Sequence, residues 1–324
     1  MDNEAEEKIL TPANKFFLGD AVKQTLHRQA RGYLKTTASL VGKETAQMSL
    51  FTLPAYDDNI NPAKQVLSKN TAITGQLLLA LWQKNKDEND IYKIDNLTDI
   101  AKLLNTTPQE LKLYLICLGG YQYPITNFDK DKRILSIHHD KLFYIKFNIR
   151  LKAGETEASF TNDHKIGTGY LSFIKDRDIE SIEVMPSMSI RQELQGKGLG
   201  NVLVDDHFVA FSLELSNIAY KLFCFSSSNK PTFKIGFDKL ISKKYLSLEK
   251  QVFGVYNQQG KRLSAGQGKK RVLETIKNGL NELKQAGHLE SWTYNETTDF
   301  FEWKYSNKII KHKEFMAVNK PPQL

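Results

Sequence analysis

The chain has 324 residues, 40% of them hydrophobic and 25% charged, with a formal net charge of +8. About twice the length of a typical domain, it is expected to form two domains with substantial cores. It has no apolar run of the roughly 18–20 residues that cross a bilayer, and its acidic start lacks a signal-peptide pattern. Its two cysteines, Cys117 and Cys224, read as buried thiols in a reducing compartment. Secreted, membrane and collagen-like classes are thereby excluded, and a cytoplasmic protein is expected. The charge is uneven, with 19 Lys and Arg against 10 Asp and Glu over residues 211–324 and near balance elsewhere. A basic C-terminal third points to a polyanion partner.

In chain order, residues 1–62 show no sustained hydrophobic period beyond a short amphipathic stretch at 20–34, and read as a flexible arm ending near Pro62. Residues 63–195 are better patterned. Ile73, Leu77, Leu78, Leu81 and Trp82 recur at helical spacing, and a short strand follows at 91–94. A second helix is predicted at 97–104, capped by Asp95 or Asn96. Thr107-Pro108-Gln109-Glu110 is a capping box with proline at the first helical position, opening a third helix toward Gly119-Gly120. Strands at 123–126 and 134–149, around a polar turn at 129–132, complete a helix-helix-helix-hairpin order, which is that of a winged helix. The third helix of this unit is apolar on several faces, with Leu111, Leu113, Leu115, Ile116, Cys117 and Leu118. That pattern suits packing or dimerisation, or a helix sunk in its own core.

The same order returns over 196–310. A first helix is predicted at 208–226 and a short second helix at 234–241. A long third helix at 269–286 is stopped by Gly287, and a hairpin follows with strands at 289–294 and 300–305. Residues 311–324 form a basic tail. The fold class expected is therefore α+β, with two winged-helix domains in tandem behind an N-terminal arm.

The helix at 269–286 carries the most chemistry. Val272, Leu273, Ile276, Leu280 and Leu283 form its apolar stripe, and Lys269, Lys270, Arg271, Lys277, Asn278, Asn281, Lys284 and Gln285 lie away from it. Basic residues suit phosphates, and Asn, Gln and Arg suit base edges in the major groove. The third helix of a helix-turn-helix unit is the one that enters that groove. Lys261 and Arg262 upstream, and Lys304, Lys308, Lys311 and Lys313 downstream, are expected to add backbone contacts.

Enzyme signals are weak. Gln195-Gly196-Lys197-Gly198-Leu199-Gly200 resembles the pyrophosphate loop of acetyl-CoA-dependent N-acetyltransferases, although Val184-Met185-Pro186 stands too far upstream of it. His138-His139 lacks the His-x-His alternation that puts two metal ligands on one strand face. Asp176, Asp178 and Glu180 have no histidine partner, and Gly266-Gln267-Gly268-Lys269-Lys270 is not a P-loop. The expectation is no catalytic residues, no metal and no cofactor.

Two resemblances remain. Gln47-Met48-Ser49-Leu50-Phe51 resembles the short peptide with which bacterial replication proteins dock into the sliding clamp; paired large apolar residues can fill a pocket while a glutamine bonds at its rim. Domain order, Ser49 to Thr52, Asp206-His207-Phe208 leading into 216–225, and Leu280 to Leu289 together resemble the tandem winged-helix plasmid replication initiators of the TrfA type. The chain departs from them in a longer 155–200 connection and in its apolar first-unit helix. The resemblance implies binding to repeated double-stranded origin sites (iterons), opening of an A·T-rich segment with capture of single-stranded DNA, and recruitment of the host initiator, helicase and clamp. It also implies a monomer-dimer balance, with no membrane partner. The alternatives are a winged-helix transcriptional regulator and, more distantly, an N-acetyltransferase.

Overall fold

A computed structural model describes residues 26–41, 68–129, 134–154, 178–196, 200–205, 212–226, 232–242 and 265–305. They form an α+β protein of two compact units, one drawn from 68–200 and the other from 26–41 together with 201–305. Among the described residues, no helix is long and apolar enough to cross a membrane.

In the first unit α2 (Lys69–Asn85) starts at Ser68, whose Oγ accepts from the Thr71 amide at 3.0 Å. Every residue from 71 to 82 is buried, so this helix is the centre of its unit. Asp87 turns the chain by accepting from the amides of Asn89 and Ile91 at 2.9 and 2.8 Å, and β2 (Tyr92–Ile94) follows. Asn96 caps α3 (Leu97–Leu103), and the Thr107–Glu110 capping box opens α4 (Pro108–Gly120) as its sequence predicts. Leu111, Leu113, Leu115 and Leu118 of α4 are buried, and the helix packs on α2, α3 and β5 (Phe143–Ile149). Four of its leucines are thus sunk in the core of its own unit, while Ile116 and Cys117 are half-buried.

The strand expected at 134–149 is two strands. β4 (Ile134–Lys141) pairs with β3 (Gln122–Asp129), and β5 pairs with β6 (Ile179–Pro186). The break falls at Leu142, where the backbone leaves both ladders to bond the Tyr121 carbonyl and the Ser187 amide, each at 3.1 Å. The three-stranded sheet runs β2-β6-β5. The hairpin expected to complete the unit, β3–β4, therefore stands outside that sheet, and β5–β6 takes its place. A short helix, α5 (Met188–Leu194), closes the unit and is held by Arg191, which donates to Asp90 at 3.0 Å. Lys86 bonds the same carboxylate, and Trp82 Nε1 donates to the Asp90 carbonyl at 2.6 Å.

The second unit begins where the flexible arm was expected. β1 (Leu26–Ala30) pairs antiparallel with β7 (Asn201–Asp205), and α1 (Arg31–Leu40) packs on α6 (Asn217–Ser226). Tyr33, Leu34 and Ala38 are buried, as are Ala219, Tyr220, Leu222 and Cys224 of α6. Residues 26–41 are thus an integral part of the unit that contains α6. The helix expected from 208 is shorter and starts at Asn217. The segment expected as helix at 234–241 is β8 (Thr232–Gly236) followed by α7 (Phe237–Ile241). Pairing explains the difference, because Phe233 and Ile235 lie opposite Trp303 and Phe301 of β10 (Phe300–Tyr305) and share their buried face. Then come α8 (Ala265–Gln285) and β9 (Leu289–Asn295), and the sheet order is β8-β10-β9. Gly287, at φ 75°, ends α8, and the His288 amide bonds the Leu283 carbonyl at 2.9 Å in a Schellman closure. Both three-stranded sheets share one order, in which the strand after α2 or α6 pairs with the last strand of its unit.

Candidate nucleic-acid interface

The helix α8 has two well-separated faces. Val272, Ile276, Gly279, Leu280 and Leu283 are buried, while Lys270, Arg271, Glu274, Asn278, Asn281, Lys284 and Gln285 are exposed. At 1.5 Å per residue, the exposed face from Lys270 to Gln285 is about 22 Å long.

The buried face is seated on α6. A Cβ on Gly279 would lie 3.0 Å from Leu222 Cδ1 and 3.4 Å from the Ala219 amide nitrogen, so the glycine is what allows the two helices to cross this closely. One turn further along, Glu282 Oε2 accepts from the Ser216 amide at 2.8 Å, satisfying a backbone donor at the start of α6.

A third flank of α8 holds the β9–β10 hairpin along its length. Near the start of the helix, Lys269 Nζ donates to Asp299 Oδ2 at 2.6 Å and lies 4.9 Å above the Phe237 ring. Asp299 also accepts from the Tyr294 hydroxyl, and its carbonyl accepts from the Phe237 amide at 2.8 Å. Two turns on, Lys277 Nζ sits 5.0 Å from the centre of the Tyr294 ring. One turn beyond that, Asn281 Oδ1 accepts from Trp292 Nε1 at 3.0 Å. The aromatic pairs Tyr294–Phe301 and Phe233–Trp303, at 4.6 and 4.7 Å between centroids, stiffen the hairpin behind these contacts.

Electrostatics follow this geometry. Burial alone would raise the Asp299 pKa, but hydrogen bonds from Lys269 and Tyr294 and the Lys269 charge outweigh it and hold the carboxyl below its ordinary value. Lys269 is correspondingly raised, chiefly by its bond to Asp299. Burial and then the neighbouring carboxylate push Tyr294 up to about 12. Behind α8, burial drives His288 down to about 3, so its imidazole, packed 5.3 Å from the Phe223 ring, is neutral.

The expected DNA-contacting residues separate into groups. Lys270, Arg271, Asn278 and Lys284 point outward with no side-chain hydrogen bond or ion pair among the described residues. Lys269, Lys277 and Asn281 are the three that fasten the hairpin, and Lys304 pairs with Glu290 at 2.8 Å across β9 and β10. Lys261 and Arg262 lie outside the described residues, as do Gln47 to Phe51 and Asp206 to Phe208. Residues missing from the expected set are Glu274, midway along the exposed face, and Asp299 and Glu282, which position α8. Helical spacing from Lys270 could have found the first, but no local signal marks the other two.

The described ends of the glycine loop, Gly196 and Gly200, are not at a helix start. Gly196 follows the end of α5, its amide bonding the Glu193 carbonyl at 2.9 Å, and Gly200 leads into the strand β7. A helix C-terminus presents carbonyls and partial negative charge, whereas a pyrophosphate loop needs the amides of a helix start. Among the described residues, no group of three or more His, Cys, Asp or Glu side chains is placed to hold a metal ion.

No protein-family model matches the chain, and no curated protein matches it. A solved structure described as the crystal structure of Pi initiator protein in complex with iteron DNA is similar to it with a TM-score of 0.45 and 16% identity. That likeness covers 88% of this chain and 99% of the other.

Proposed function

We propose that the chain is a sequence-specific DNA-binding protein with two tandem winged-helix units, and that it initiates plasmid replication at repeated origin sites. The observation that carries the DNA-binding reading is the exposed face of α8. Cationic and amide side chains line one side of the long helix α8, with no side-chain partner among the described residues at Lys270, Arg271 and Asn278, while a hairpin buttresses the flank. That is the arrangement a helix needs to enter the major groove with its donors unspent. Lys270, Arg271 and Lys284 would meet phosphates, Asn278 would meet base edges, and Lys261 and Arg262 would add backbone contacts. Lys269, Lys277, Asn281 and Lys304 would act chiefly by holding the helix and hairpin in place.

The replication reading rests on the sequence resemblance and on the repeated helix-strand-helix-helix-hairpin order with a shared sheet order. In it the first unit meets a neighbouring site half or a second copy of the chain. Gln47 to Phe51 docks into a host sliding clamp, and host helicase and initiator follow.

The test is binding of the purified protein, across a salt series, to duplexes from the DNA flanking its gene and to random duplex. Tight binding to a repeated element with a steep salt slope and several proteins per fragment is the expected result. Binding to a single palindromic promoter site would make it a regulator instead, and salt-independent or absent binding would overturn the DNA reading altogether.

A further inference from the structure

We propose that Glu274 is a specificity-determining residue of α8, its carboxylate accepting a hydrogen bond from the N4 amino group of a cytosine in the major groove. This rests on the assignment of α8 as the reading helix.

Glu274 stands at the middle of the exposed face, one turn after Lys270 and Arg271 and one turn before Lys277 and Asn278. Despite those neighbours, it makes no ion pair or hydrogen bond among the described residues. Several other acids of the same unit are committed. Asp299 takes Lys269, Glu282 takes the Ser216 amide, Glu290 takes Lys304, and Glu302 lies 3.7 Å from Lys234. A carboxylate with no partner among the described residues, on a surface built for a polyanion, repels phosphate and weakens binding to every sequence, so its presence there points to a specific partner on the DNA.

The chemistry of base edges narrows that partner. An ionised carboxylate only accepts hydrogen bonds. Guanine and thymine present acceptors in the major groove and would be repelled. Adenine offers an amino donor beside the N7 acceptor, whereas cytosine offers its N4 amino donor alone, so cytosine is favoured.

The experiment is selection of binding sites from a random duplex pool by the wild type, Glu274→Ala and Glu274→Gln. Affinities are then measured for the selected site and its single-base variants. The wild type is expected to favour cytosine at one position of each site by about tenfold over guanine or thymine. Glu274→Ala should flatten that position, leave the others unchanged and tighten binding to random duplex. Glu274→Gln should move the preference toward adenine, which a glutamine amide can bond at both N6 and N7. Because the side chain is exposed, neither change should alter thermal stability appreciably. Identical base preferences in all three proteins would overturn the proposal while leaving DNA reading by α8 intact. A wild type that binds DNA without sequence preference would overturn both, and loss of DNA binding would sink the proposed function itself.

Discussion

Lys269 and Asp299 stand 30 residues apart in the chain, yet Nζ of the first lies 2.6 Å from Oδ2 of the second, at a turn that Asp299 enters with φ 57°. The contact ties the first turns of α8 to the tip of the hairpin beside it. Asp299→Asn keeps a residue that tolerates this backbone conformation and removes the charge. Because both side chains are partly exposed, the loss should be modest, about 1 kcal/mol. The Asp299 contribution is present above the unfolded carboxyl value of about 3.9 and is lost as pH falls through its lowered folded value. The Lys269 contribution is present below about 10.4 and is lost as pH rises through its raised folded value. Thermal unfolding of the wild type and the variant should therefore differ most between about pH 4 and pH 10 and converge outside that range.

The two adjacent lysines at the start of α8 should behave differently in DNA binding. Lys270→Ala is expected to weaken binding to all duplexes and reduce the salt slope by about one, as loss of a phosphate contact does. Lys269→Ala should lower stability and change the salt slope little, because its ammonium is engaged with Asp299. Asn278→Ala, at an exposed position, should relax sequence preference at unchanged stability.

A second pH effect comes from His288, which is buried behind α8 and held neutral down to about pH 3. In the unfolded chain it takes up a proton below about 6.5, so the unfolded state binds more protons in that interval and stability falls as pH drops. Denaturant unfolding should show a loss with a limiting slope of about 1.4 kcal/mol per pH unit below pH 6.5. Replacing His288 with Phe should remove that component and leave the part of acid sensitivity due to carboxylates such as Asp299.

Gly279 sets the distance between α6 and α8. Gly279→Ala adds helix propensity worth about 1 kcal/mol but places a methyl group 3.0 Å from Leu222, so the gain and the crowding should nearly cancel. Gly279→Leu should lower stability by about 3 kcal/mol or more, because the Ala219 backbone behind the site cannot retreat. Urea denaturation of the two variants separates these cases, and equal midpoints for the leucine variant and the wild type would show the crossing to be looser than it is here.

Removal of residues 26–41 should destabilise the second unit, although the segment lies before the first unit in the chain. It would strip β7 of its partner strand and expose Tyr220 and the α6 face beneath α1. A chain beginning at residue 42 should unfold at lower temperature than one beginning at Thr25.

Much of this fold is legible in the sequence wherever the signal is local. The Thr107–Glu110 box, the apolar stripe from Val272 to Leu283 and the stop at Gly287 each fix an element through neighbours within a few residues. The alternation at 289–294 and 300–305 marks the hairpin in the same way. What is not legible depends on distant partners. Residues 232–236 became a strand because β10 lies beside them, and 26–30 because β7 does. The same limit divides the site. Its basic and amide face is readable from periodicity, but Lys269, Asn281 and Lys304 are spent on Asp299, Trp292 and Glu290, which no helical wheel reveals.

The pairing of β1 with β7 also sets a timetable for synthesis. Residues 26–41 leave the ribosome early, while their strand partner and α6 follow about 170 residues later, a wait of roughly 9 to 34 seconds at bacterial and eukaryotic elongation rates. Meanwhile the intervening unit, whose described elements all lie within residues 68–200, can fold ahead of it. The helix carrying Tyr33, Leu34 and Ala38 must keep its apolar side from other chains until α6 emerges. Expression at lower chain density, or with a holding chaperone, should therefore favour the second unit more than the first.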